Sequence, residues 1–300
     1  MLCLAIVVIR APAPRALRTA IEGALIMPVI AALTLYAVWP RLWAHPLAAL
    51  AASVAKLARP HTPEPFLGVF TNHPGPHYFV VYLAATLPVL VLAGVAVYLV
   101  RALAERDRAG LVVAAWFVVP LAVAASPVRQ DGVRYVMPCL LALAVASAAG
   151  WSWLATLAER RLPRVFPLIA GALVVYLAVT LARVHPYYLD YFGEQVGGAG
   201  TVARRSWFET AWWGEGVDRA VAYVNEHAAP NARVYRNCIE PVHLAWFRED
   251  LWTPMTNDPA HADWLVTYAP QSHPCPMPHD ARRVFRVTVQ GATLAEVWQR

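Results

Sequence analysis

The sequence predicts an α-helical, multi-spanning membrane domain over residues 1–184, followed by a small extracytoplasmic α/β domain over 207–300, with an interfacial linker over 185–206. Three observations carry that expectation. The chain is 59% hydrophobic and only 15% charged, against roughly 25% charged in soluble domains. Its positive excess is confined: residues 1–184 carry 15 basic and 6 acidic side chains, and residues 185–300 carry 10 and 13. Long apolar runs also stop abruptly at His185 and Pro186, because proline disfavours helix at the residue before it.

The first nine residues form an apolar stub, shorter than the ~20 residues a span needs. Arg10, Arg15 and Arg18 follow it, the reverse of a signal peptide's charged start, so the stub reads as the last turns of a preceding helix. Five full spans are expected after it, at 19–39, 78–100, 110–125, 135–157 and 165–184. Glu22 lies near the end of the first and can snorkel to the interface. A long loop at 40–77 contains an amphipathic stretch at 47–57, and a compact polar loop, S-P-V-R-Q-D-G-V-R, occupies 126–134. The loops at 10–18, 101–108 and 159–164 are each net positive and alternate so as to share one face. The positive-inside rule makes that face cytoplasmic, which places the loops at 40–77 and 126–134 and the C-terminal domain outside.

The stretch 185–206 reads H-P-Y-Y-L-D-Y-F-G-E-Q-V-G-G and a short basic turn. Tyr187, Tyr188, Tyr191 and Phe192 suit a membrane–water boundary, and Gly197, Gly198 and Gly200 are expected to loosen the backbone. In the outer domain, Val217, Ala220, Val221 and Val224 have helical spacing over 216–227. Short strands are expected at 232–236 and 264–268, a second helix at 240–248, and a terminal hairpin over 284–289 and 293–298. The order strand, helix, strand predicts a parallel pair with a crossover.

Several functions are excluded by composition and motif. Positive charge spread over short loops is not a nucleic-acid stripe. The sequence contains no H-E-x-x-H and no C-x-x-C, and no phosphate-binding glycine loop or G-x-S-x-G elbow, so neither a metal nor another cofactor is expected. Cys3 and Cys139 sit in apolar runs as small core residues. Cys238 and Cys275 each follow a proposed strand, and either a bridge or two free thiols fits that placement.

The candidate substrate-binding residues lie on the outward loops. His73, His77 and Tyr78 stand where the long loop re-enters the apolar layer. Arg129, Asp131 and Arg134 stand in the compact loop, where two guanidiniums beside one carboxylate suit a phosphate. Ordinary lipid headgroup contact is the simpler role for the same arginines.

The segment R-Y-V-M-P-C-L-L-A-L-A opening the fourth span resembles the R-Y-x-x-P segment of polytopic GT-C glycosyltransferases. The exit H-P-Y-Y-L-D-Y-F and the following W-G-E-G-V-D-R-A-V-A-Y-V-N resemble bacterial members of the protein-O-mannosyltransferase-like group, as does the terminal hairpin. The likeness covers most of the chain and concerns the C-terminal half of that family. It implies a multi-pass enzyme of the bacterial inner membrane that moves a sugar from a polyprenyl-phosphate donor to an extracytoplasmic acceptor. The bilayer and that donor are the partners it implies; the acceptor is unknown. The family's catalytic aspartate lies in a first outer loop that precedes the residues seen here, so no catalytic base is assigned. A second reading stays open: a non-catalytic membrane partner, or degenerate relative, that binds lipid carriers or cell-wall sugars.

Overall fold

The computed structural model describes residues 13–57, 59, 63–105, 108–125, 132–237, 245–251, 259–272 and 275–300. The chain divides into two units. One comprises Met1–His61, His73–Leu83 and Leu90–Ile169; the other comprises Thr62–Asn72, Ala84–Val89 and Ala170–Arg300.

The first unit is helical. Helix α1 (Ala13–Val38) is followed by α2 (Pro46–Leu57), where the amphipathic stretch was expected. Next come α3 (Tyr78–Thr86), α4 (Val89–Glu105), α5 (Arg108–Ala125), α6 (Met137–Glu159) and α7 (Val165–Val184), with α3, α4 and α7 straddling the division between units. Among the described residues, three helical stretches are long and apolar enough to cross a membrane: Ile21–Val38, Val133–Glu159 and Val165–Val184, whereas Gly110–Ala125, expected as a full span, is shorter. The pair α3 and α4 makes a fourth if it counts as one span.

Helix packing in this unit depends on small residues. Gly94 of α4 and Gly150 of α6 meet so closely that a Cβ on Gly94 would lie 2.5 Å from Ser147 Oγ, and one on Gly150 would strike the Gly94 carbonyl oxygen. Trp151 Nε1–H then donates to the Leu90 carbonyl at 2.8 Å. The buried Cys139 thiol of α6 donates to the Phe117 carbonyl of α5 at 3.2 Å and is free of disulfide. Close backbone approach through Gly, Ala and Ser is how apolar helices pack without large side chains between them.

The expected single span at 78–100 needs correction. Helices α3 and α4 meet at a bend of 118° across Leu87 and Pro88. Pro88 lacks an N–H and crowds the preceding turn, so the ladder of hydrogen bonds is interrupted there. Pro28 and Pro120, by contrast, lie inside α1 and α5, which continue through them.

The second unit is α/β. A four-stranded sheet has the order β3–β4–β6–β5, from β3 (Val234–Asn237), β4 (Trp264–Tyr268), β5 (Arg282–Val289) and β6 (Ala292–Gln299). β3 and β4 are parallel, as expected, with Val234 opposite Trp264. β6 pairs antiparallel with both β4 and β5, and the hairpin turns at Gln290 and Gly291 with positive φ at both. That geometry matches the twist of the flanking strands. Helix α9 (Val217–His227) buries Val217, Ala220, Val221 and Val224, and its Tyr223 stacks on Phe285 of β5 with ring centroids 4.4 Å apart.

The expected helix at 240–248 is not found in its described part, since residues 245–248 have no regular structure; residues 240–244 lie outside the described residues. Cys275 is disulfide-bonded, whereas Cys238 lies outside the described residues. A small hairpin, β1 (Glu64–Phe66) with β2 (Val69–Thr71), belongs to this unit. Its turn is held by Leu67 N–H donating to the Trp207 carbonyl at 2.7 Å.

The glycines expected to loosen the linker do something else. Gly198 opens a buried helix, α8 (Gly198–Arg204), and Gly200 N–H donates to the Gln290 carbonyl at 3.1 Å. A Cβ on Gly200 would lie 2.5 Å from that same oxygen, so the residue is small to permit contact with the hairpin turn.

Candidate functional site

The long loop re-enters the helical unit at Tyr78, the first residue of α3, which is fully buried against Phe79 and Tyr82 at ring distances of 5.1 and 4.7 Å. Its hydroxyl oxygen accepts the Gly132 N–H at 2.7 Å. Gly132 immediately precedes the 3-10 turn Val133–Val136, which carries Arg134 and leads into α6. One hydrogen bond therefore ties the start of α3 to the segment that leads into α6. A buried acceptor–donor pair of this kind is costly to break, because a stranded N–H has no water to replace its partner.

Arg134 is half-buried. Its guanidinium lies over the Tyr135 ring at 5.1 Å and donates to the Tyr135 hydroxyl at 3.5 Å. That arrangement holds the stem along an aromatic face at the start of an apolar helix. His73 and His77 are both exposed. The structure thus brings Tyr78 to the segment carrying Arg134. Arg129 and Asp131 lie outside the described residues. Among the described residues, no group of three or more His, Cys, Asp or Glu side chains is arranged to hold a metal ion.

Two features of the second unit were missed by sequence reasoning. The first is how the break at Pro88 is capped. Gln195 Nε2 donates to the carbonyls of Ala84 at 2.6 Å and Leu87 at 2.8 Å, and Gly193 N–H donates to Ala85 at 2.8 Å. Glu194 accepts the Val89 N–H, together with the hydroxyls of Tyr176 and Tyr191. The orphan groups on both sides of the break are thereby satisfied from one short segment.

The second is Asp190, which has no exposed surface. Its Oδ1 accepts the Ala211 N–H at 2.6 Å, and burial pushes its carboxyl up to about 7 against the pull of that bond, with Glu215 and Glu209 adding to the rise. The signal was present in the sequence: H-P-Y-Y-L-D-Y-F places a single acid among five aromatic or apolar neighbours. Such an acid is either solvated or held by a specific partner.

The W-G-E-G stretch proves to be a run of turns with backbone clamps. Thr210 N–H donates to Ser272 Oγ at 2.8 Å, Trp213 N–H donates to Glu215 Oε2 at 2.7 Å, and Gly216 opens α9. No family model, curated protein or solved structure matches this chain.

Proposed function

We propose that this chain is the C-terminal portion of a multi-pass membrane glycosyltransferase that takes a sugar from a polyprenyl-phosphate carrier and passes it to an extracytoplasmic acceptor. The apolar helices lie in the bacterial inner membrane, and the α/β unit faces outward. Arg134 binds the donor's phosphate. The observation that carries this reading is the Tyr78–Gly132 hydrogen bond, which seats the segment carrying Arg134 at the head of an apolar helix. A polyprenyl phosphate offers its charge at the depth where its tail enters the bilayer, and a guanidinium fork can take two phosphate oxygens at once. The leaving phosphate gains charge as the sugar departs, so the contact strengthens in the transition state.

The test reads binding before turnover. In detergent, a polyprenyl phosphate raises the melting temperature of the full chain, and the matching polyprenol does not. Arg134→Ala weakens that binding by roughly 10- to 100-fold, the worth of one charge-assisted contact, while Arg134→Lys keeps part of it. Equal stabilisation by the polyprenol, or unchanged phosphate binding in a folded Arg134→Ala, overturns the assignment.

A further inference from the structure

The proposed sugar transfer leaves one buried group without a role. Asp190 closes the 3-10 turn Tyr188–Asp190. Its Oδ1 clamps Ala211, whose φ of 57° lies in the left-handed region that side chains disfavour. Its Oδ2 is buried with no hydrogen-bond partner among the described residues. From the clamped segment, Glu209 and Glu215 face it; Glu209 is 6% exposed. On its own turn, Tyr187 is 7% exposed and has a hydroxyl that is also buried without a hydrogen-bond partner. Tyr187 in turn faces Asp218 and Arg219 from the first turn of α9, with the Arg219 guanidinium 5.6 Å from its ring.

The acids are not grouped for a metal ion. Asp190 offers one buried oxygen with no hydrogen-bond partner among the described residues, next to two more carboxylates. Burial there disfavours the anion, whereas a neutral acid loses nothing comparable. The cation that fits is a proton.

We propose that Asp190 is a proton-operated latch, which holds the segment 209–216 closed through Ala211 while protonated and loosens it on ionisation. The sign follows from linkage. The closed state keeps its proton up to about pH 7, while an exposed aspartate gives it up near 4. The latch is therefore tightest in acid, weakens as pH rises from about 4 to about 7, and is level above that. It acts on the distinctive W-G-E-G stretch and does not depend on the sugar-transfer reading.

Hydrogen exchange of the full chain in detergent at pH 5 and pH 8, corrected for intrinsic exchange rates, tests it. Peptides covering 209–216 in the parent lose roughly tenfold or more protection at pH 8, and those of the β5–β6 hairpin do not. Asp190→Asn, whose amide oxygen can still accept the Ala211 N–H, protects 209–216 equally at both pH values. Glu215→Gln keeps a carbonyl for the Trp213 N–H, removes one repelling charge and shrinks the parent's loss. The latch is wrong if folded Asp190→Asn loses as much protection as the parent, or if Glu215→Gln leaves the loss unchanged. It is equally wrong if the hairpin loosens along with 209–216.

Discussion

Two loops of this molecule are held by the same device. In the helical unit, Tyr78 Oη accepts the Gly132 N–H at 2.7 Å; in the α/β unit, Asp190 Oδ1 accepts the Ala211 N–H at 2.6 Å. Both acceptors are buried, and both hold a residue of positive φ, 60° at Gly132 and 57° at Ala211. They differ in what the acceptor does when pH changes. A phenol stays neutral across the physiological range, so its clamp is a fixed strut. A carboxyl beside two other acids has a second state within reach, so its clamp carries a condition. A buried acceptor on one backbone N–H thus gives either permanence or response, depending on one side chain's acidity.

The largest effect expected from that contrast is on stability. A carboxyl raised from 3.8 to about 7 on folding costs on the order of 4 kcal/mol once it is ionised. Asp190→Asn should therefore melt well above the parent at pH 8, with the gap narrowing toward pH 4; a gap independent of pH would remove the distinction between the two clamps. Tyr78→Phe strands the Gly132 N–H and should cost about 1–3 kcal/mol. That loss should be the same at pH 5 and pH 8, and a pH-dependent loss would make Tyr78 a responsive clamp as well. The smallest effect concerns Gln195, an exposed side chain that caps the helix break. Gln195→Ala should cost about 1 kcal/mol at either pH, seen as faster exchange at the amides flanking Pro88. An unchanged exchange pattern there would mean that the break stands without its cap.

The contrast also marks where sequence reading reaches its limit. Spacing placed α9, the strands β3 and β4 and the terminal hairpin, because a burial face repeats with a period that the chain itself displays, while the parallel pairing of β3 and β4 was expected from element order. Apolar length found three of the five expected spans, since that property is summed along one segment, whereas Gly110–Ala125 is a shorter apolar helix and the run at 78–100 is bent. Arg134 and Tyr78 were legible because they are polar groups at the edges of apolar runs, where sequence alone makes them conspicuous. Prolines within apolar runs are visible in the sequence, yet of Pro28, Pro88 and Pro120 only Pro88 breaks its helix sharply. A proline frees backbone groups wherever it falls. Whether the helix continues or folds back depends on what receives those groups, and here Gly193, Glu194 and Gln195 arrive from roughly a hundred residues away. Asp190 follows the same rule. Its residue type and its apolar neighbours are written in the chain, but its lost solvent, its bond to Ala211 and the facing carboxylates exist only once distant segments meet. Periodicity is a local property that sequence determines; burial and partnership are properties of pairs, and the tertiary structure decides them.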